Sequence, residues 1–96
     1  MKPSEALEIH REFIRDTCAK YGLSNPRVFG SVARGTDTED SDLDLMVDKG
    51  VNTSLFDLNG AANEIGDRLG VEIDICTSTM IRESWRDKIN AILIPV

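Results

Sequence analysis

Residues 41–47, Ser-Asp-Leu-Asp-Leu-Met-Val, alternate polar and apolar side chains. This short run constrains the fold more than any other part of the chain. Alternation at period two marks a strand with one covered face. Leu43, Leu45 and Val47 then point into a core, while Asp42 and Asp44 share the opposite face. The chain must therefore contain a sheet, and other elements must cover one side of it.

The rest of the sequence supplies those elements. Residues 4–21 read as a helix, with Ser4 as a cap and Ala6, Ile9, Phe13, Thr17 and Tyr21 at helical spacing. Gly22 ends it. Leu23-Ser-Asn-Pro26 reads as a turn, and Arg27-Val-Phe-Gly30 as a short strand. After the loop from Asp48 to Thr53, Ser54 and Asp57 resemble a capping box. Leu55, Leu58, Ala62, Ile65 and Leu69 then give one apolar helix face, which Gly70 closes. Gly60 and Gly66 each weaken that helix by about 1 kcal/mol relative to alanine, so it depends on packing. Residues 71–76 repeat the strand pattern, with Val71, Ile73 and Ile75 on one face and Glu72, Asp74 and Cys76 on the other. A further helix is expected over about 79–91, and Ile92-Leu-Ile-Pro-Val96 as an edge strand. The order of strands and helices predicts a single small α/β domain over 1–96, with neither repeats nor linkers.

The 96 residues suffice for one modest core. Eleven basic against seventeen acidic residues give a net charge of −6, a poor match for a phosphate backbone, so direct nucleic-acid binding is disfavoured. No apolar run approaches the ~20 residues of a membrane span, and the N-terminus lacks the apolar stretch of a secretory signal. Cys18 and Cys76 lie far apart and read as free, buried thiols of a cytoplasmic protein. His10 has no acid partner at ligand spacing and is assigned no role.

Six acidic residues fall between positions 37 and 48. Such a cluster repels itself unless it is solvated or a cation sits within it. On a strand, alternate Cα atoms are roughly 6.6–6.8 Å apart, so the carboxylates of Asp42 and Asp44 can converge on a small cation. Asp74 repeats the arrangement on the third strand; if the two strands are neighbours, three carboxylates meet over one patch of sheet. Hard oxygen donors favour Mg²⁺ or Mn²⁺ over zinc. The same alternation also fits the solvated face of an amphipathic strand. A calcium-binding EF-hand loop from Asp40 fails, because Leu45 stands where glycine is needed and Val51 where the bidentate glutamate belongs. Asp37, Glu39, Asp40 and Asp48 read as ordinary loop and strand-end charges. Gly30-Ser31, at the end of the first strand, allows a ligand to approach the backbone; Ser31 adds a hydroxyl and Arg34 a positive charge, a suitable place for phosphates.

Gly30-Ser31, ten intervening residues and Asp42-Leu43-Asp44 form GSx10DxD, followed later by Ile73-Asp74-Ile75. This pattern resembles the DNA polymerase β-like nucleotidyltransferase superfamily, in its minimal nucleotidyltransferase (MNT) branch. The resemblance covers about 28–76. It implies a mixed β-sheet flanked by helices, with ATP as substrate and two Mg²⁺ ions as cofactors. It assigns Asp42, Asp44 and Asp74 as metal ligands and catalytic residues, Asp74 also activating the attacking hydroxyl. It assigns Gly30 and Ser31 to the triphosphate. Many members carry an arginine directly after the serine; Val32 stands there, and Arg34 is the substitute.

The family resemblance also points to a partner. Many MNT proteins are antitoxins that transfer AMP from ATP to a tyrosine of a HEPN ribonuclease toxin. A HEPN-domain partner, in a homo- or hetero-oligomer, is therefore expected. Two alternatives stand beside it. One is a steric binding module using Trp85 and the apolar ending Ala91–Val96, although core packing is the more economical reading of those residues. The other is a small-molecule nucleotidyltransferase, for which no acceptor-binding domain is visible.

Overall fold

The computed structural model describes residues 1–96. Helices α1 (Pro3–Ile9) and α2 (Arg11–Lys20) lead into β1 (Leu23–Phe29), α3 (Gly30–Arg34) and β2 (Leu43–Lys49). Helix α4 (Leu55–Leu69) and β3 (Ile73–Cys76) follow, then a single 3₁₀ turn (Ser78–Met80), α5 (Glu83–Asn90) and β4 (Ile94–Pro95). The four strands form one mixed sheet in the order β3-β2-β1-β4. Strand β1 is antiparallel to β2 and β4, and β2 is parallel to β3. The expected α/β class, with a mixed sheet flanked by helices, holds.

The core occupies one side of the sheet. Val28, Leu43, Leu45 and Val47 meet Leu58, Ala61, Ile65 and Leu69 of α4 and Ile14 and Cys18 of α2 in one buried cluster. Each fully buried aliphatic side chain is worth about 1.5–3 kcal/mol relative to exposure. Val71, Ile73 and Ile75 pack against the same cluster, as the alternation in the third strand predicts. The capping box of α4 is formed, with the Ser54 amide donating to Asp57 Oδ2 at 2.8 Å.

Several expectations are corrected. The N-terminal helix is two helices, broken at His10 (φ −115°, ψ 23°). It opens at Pro3, whose fixed φ suits the first helical position, so Ser4 is not its cap. The buried stripe is Ala6, Leu7, Ile14, Thr17 and Cys18, while Ile9 is 63% exposed. Leu7 and Ile14 stand two turns apart and take the core-facing line that Ile9 was expected to share. In α4, Ala61 rather than Ala62 is fully buried, and Leu55 is exposed. A side chain at Gly60 would come within 2.5 Å of the Tyr21 ring, so this glycine trades helix propensity for close contact between α4 and the end of α2.

The Leu23–Pro26 stretch is the first half of β1 rather than a turn. Its register with β2 shifts between Ser24 and Arg27, and Asn25 takes φ 52°, a region asparagine tolerates better than most residues. Pro26 needs no amide partner at such a bulge, and its carbonyl accepts from the Val96 amide at 2.9 Å. The C-terminal helix spans only Glu83–Asn90 and buries no residue; Trp85 lies outside the core, 52% exposed. The expected edge strand is present as β4.

Candidate active site

The site grows from the second face of β2. Because side chains alternate, the strand that buries Leu43, Leu45 and Val47 turns Asp44 to the other side. Pairing with β3 sets Asp44 directly beside Asp74, and Met46 beside Cys76. Pairing with β1 sets Phe29 beside Asp44. Asp42 lies just ahead of β2, exposed. The sequence expectation that strands two and three are neighbours is met, and Asp74 rather than Glu72 stands in register with Asp44. The Glu72 carbonyl instead accepts from the Leu43 amide at 2.9 Å, which helps to align the two strands.

Chain direction explains how Gly30 reaches this face. Strand β1 ends at Phe29 opposite Asp44, and Gly30 (φ 70°) turns at once into α3. A Cβ on Gly30 would lie only 3.1 Å from Asp44 Cγ and closer still to Oδ2. Only glycine satisfies both the left-handed backbone and this approach. Ser31 follows in the first turn of α3, whose leading amides have no partner within the helix. Arg34 stands exposed in its last turn. Val32 is turned into the core, 9% exposed, so an arginine at that position would have to leave the packing that valine occupies.

The electrostatics are those of crowded acids. Burial, followed by the charges of Asp74 and then Asp42, pushes the Asp44 carboxyl up to about 6, with Arg34 opposing them. Burial also raises the Cys76 thiol to about 11, with Asp44 and Asp74 adding to the effect. Cys76 is therefore not a simple core residue: it is half-buried on the carboxylate face. Cys18 is in the core as expected, its thiol likewise raised to about 11 by burial. No three His, Cys, Asp or Glu side chains stand at metal-ligand spacing; Asp42, Asp44 and Asp74 face one region without closing on a point. Neither of the two concave pockets is lined by these carboxylates, so the candidate site is an open face and not an enclosed cavity.

One residue read as a loop charge is something else. Asp37 is only 8% exposed, and the Ser4 amide donates to its Oδ2 at 2.9 Å. Burial, the largest single effect, works against its ionised form, but the hydrogen bonds from Ser4 and from its own amide, together with the Lys2 charge, hold the carboxyl below the usual range. The contact spans 33 residues, and no local sequence signal announces it.

Comparison with known proteins agrees with this architecture. Residues 10–94 match the family described as "Nucleotidyltransferase domain". The chain is 37% identical over 82 residues to MJ0435 of Methanocaldococcus jannaschii, a proposed protein adenylyltransferase, with 85% of this chain and 87% of that protein aligned. The solved structure of a proposed minimal nucleotidyltransferase superposes with a TM-score of 0.85 at 36% identity, over 97% of this chain and 95% of the other. A chain from a toxin–antitoxin crystal structure with AMP-PNP gives a TM-score of 0.71 over 97% of this chain and 71% of its own length; at 14% identity that likeness bears on the fold alone. The GSx10DxD signature, the register of Asp44 with Asp74 and these relatives agree: the chain belongs to the nucleotidyltransferase-domain family, in its minimal nucleotidyltransferase branch.

Proposed function

We propose that this protein is a Mg²⁺-dependent nucleotidyltransferase that moves AMP from ATP to a hydroxyl of a partner protein, and that residues 1–96 are one minimal domain for that task. The observation that carries the reading is the juxtaposition of Asp44 with Asp74 across β2 and β3, with Gly30 pressed against the Asp44 carboxylate. The donor set consists of carboxylate oxygens alone, which suits Mg²⁺. Asp42, Asp44 and Asp74 would hold the metal, two ions being the number that the family resemblance implies. When bound, the metal would supply charge neutralisation at the triphosphate.

The chain's own residues divide the work. Gly30 opens the backbone to the triphosphate, Ser31 offers its hydroxyl and the amides of the first α3 turn, and Arg34 balances negative charge from the exposed side. Asp74, exposed at the sheet surface, takes the proton of the acceptor hydroxyl. The acceptor oxygen forms a bond to the α-phosphorus of ATP, the bond from that phosphorus to the bridging oxygen breaks, and pyrophosphate leaves. An open face lets a macromolecular acceptor present its hydroxyl to the carboxylates.

The acceptor we propose is a tyrosine of a HEPN ribonuclease toxin, which would make this chain an antitoxin working in the cytoplasm, where ATP is available. Two kinds of support bear on it: the MNT resemblance, and the adenylyl-transfer chemistry in the name of its M. jannaschii relative. The net charge of −6 suits a basic, RNA-cleaving partner. A steric inhibitor remains a second reading because α5 buries no residue and Trp85 is exposed. The test is to incubate a HEPN partner with the protein, ATP and Mg²⁺, then map its peptides by mass. A tyrosine carrying AMP, absent when Asp42→Asn and Asp44→Asn are combined, is the expected result. A stable complex in which the partner is inhibited but unmodified would contradict transfer and favour steric inhibition.

A further inference from the structure

Between Gly35 and Asp42 the chain runs from the end of α3 to the first candidate carboxylate. Local hydrogen bonds knit this loop to itself and to α3. The Thr36 amide donates to the Ser31 carbonyl at 2.9 Å, the Thr38 amide to Ser41 Oγ at 2.8 Å, and the Ser41 amide to the Thr38 carbonyl at 3.0 Å. None of these ties the loop to the body of the protein. The buried hydrogen bond from the Ser4 amide to Asp37 does so, beside an exposed ion pair between the Met1 amino group and Glu39 at 3.7 Å.

The N-terminus of α1 explains why the bond forms there. Pro3 has no amide proton, and the amides of Glu5 and Ala6 donate to the Lys2 carbonyl at 3.0 and 3.1 Å. Lys2, in the capping position, offers no side-chain oxygen to the Ser4 amide. Ser4 is therefore the first helical amide in need of an acceptor, and Asp37 supplies it from the loop while being buried to 8% exposure. The cap that most helices carry in the preceding residue is here provided by the loop that precedes Asp42.

We propose that Asp37 is a positioning residue for the transferase site: its carboxylate moors the Gly35–Asp42 loop to α1 and so fixes the spacing between the Gly30-Ser31 turn and Asp42. This rests on the reading of the site given above. Asp37 touches no reacting group. It acts on Asp42 through the four residues of backbone between them, one remove further than an outer partner that hydrogen-bonds a metal ligand directly.

The test uses the full chain with Asp37→Ala and Asp37→Asn. Amide hydrogen exchange is followed residue by residue, and binding of Mn²⁺ with a non-hydrolysable ATP analogue is titrated. Asp37→Ala should raise exchange at Ser4 and residues 36–42 while leaving α4 unchanged, and should weaken Mn²⁺–nucleotide binding about tenfold, the low end for outer-shell partners. Asp37→Asn keeps an acceptor oxygen and should stay within about threefold of wild type, as asparagine caps as well as aspartate. Unchanged loop exchange in Asp37→Ala would overturn the proposal, as would an increase equal in the loop and in α4. Equal weakening by alanine and asparagine would also overturn it. If the wild-type chain binds no Mn²⁺–nucleotide, the transferase reading fails, and the exchange pattern alone still decides whether Asp37 moors the loop.

Discussion

On one side of β2, Leu43, Leu45 and Val47 are fully buried beneath the helices; on the other, Asp44 stands half-exposed between Asp74 and Gly30. The residues alternate along a single strand, yet the two faces answer to opposite demands. The helix side is a close-packed core in which every contact favours folding. The carboxylate side gathers acids whose mutual repulsion and burial lift Asp44 to about 6, a cost the fold carries with no benefit to its own stability. A strand that served stability alone would not hold Asp44 between Asp74 and a glycine. This contrast is the physical argument for a site.

The comparison breaks most sharply by exchanging what each face loses. Leu45→Ala should destabilise the protein by about 2–5 kcal/mol, the range for buried leucines, read as a lower denaturation midpoint. Asp44→Asn should leave that midpoint equal or higher and lower AMP transfer by about 10²–10³-fold, the range for losing a group that stabilises the transition state. If Asp44→Asn unfolds the chain as readily as Leu45→Ala does, the two faces are not distinct in the way described.

Where the faces meet, Gly30→Ala should cost about 1–2 kcal/mol from the left-handed backbone alone and should displace Asp44 besides. Nucleotide binding should fall further than stability does, a difference visible by titration alongside thermal unfolding.

A smaller effect is a pH dependence that belongs to the carboxylate face. The Asp44 carboxyl has an ordinary value of 3.8 and rises to about 6 in the fold, so between these values the folded chain binds more protons than the unfolded one. Its contribution is therefore most favourable below about 4 and is lost as pH rises through 6. The full shift corresponds to about 3 kcal/mol; because the group is half-exposed, solvent screening reduces this to about 1 kcal/mol. Metal-free protein should lose that stability between pH 4 and 7, and Asp44→Asn should flatten the profile. Added Mg²⁺ should restore stability at pH 7, since it favours the ionised acid.

Smallest is Trp85→Ala. With 52% of its surface exposed on a helix that buries nothing, this residue should change the stability of the isolated chain by no more than about 0.5 kcal/mol. A larger loss on thermal unfolding would mean that α5 contributes to the core after all.

Much of this was legible in the sequence because the informative signals are local. Period-two alternation announces β2 and β3, the Ser54–Asp57 box announces α4, and the glycine-serine and Asp-x-Asp pair at fixed spacing announces the site. The register that sets Asp74 rather than Glu72 beside Asp44 is fixed only by the pairing of the two strands. What escaped was decided by contacts distant in sequence. The helix break at His10 and the burial of Leu7 instead of Ile9 depend on how α1 packs against α2 and α4 while α2 lies on β1. The strand through Asn25 and Pro26 depends on pairing with β2 and β4. Asp37 looks like any loop acid until Ser4 is brought to it, and the alternation that sets Cys76 on the Asp74 face does not reveal that the expected buried thiol stays half-exposed there.

The central claim is that the Asp44–Asp74 face transfers the nucleotidyl group of ATP. The most direct test is to run parallel reactions with α-labelled and γ-labelled ATP, Mg²⁺ and a HEPN partner, using wild-type protein and Asp44→Asn. Label reaching the partner from the α position, not from the γ position, and lost in Asp44→Asn, is the predicted result. Transfer from the γ position, or α-label transfer that survives in Asp44→Asn, would contradict it.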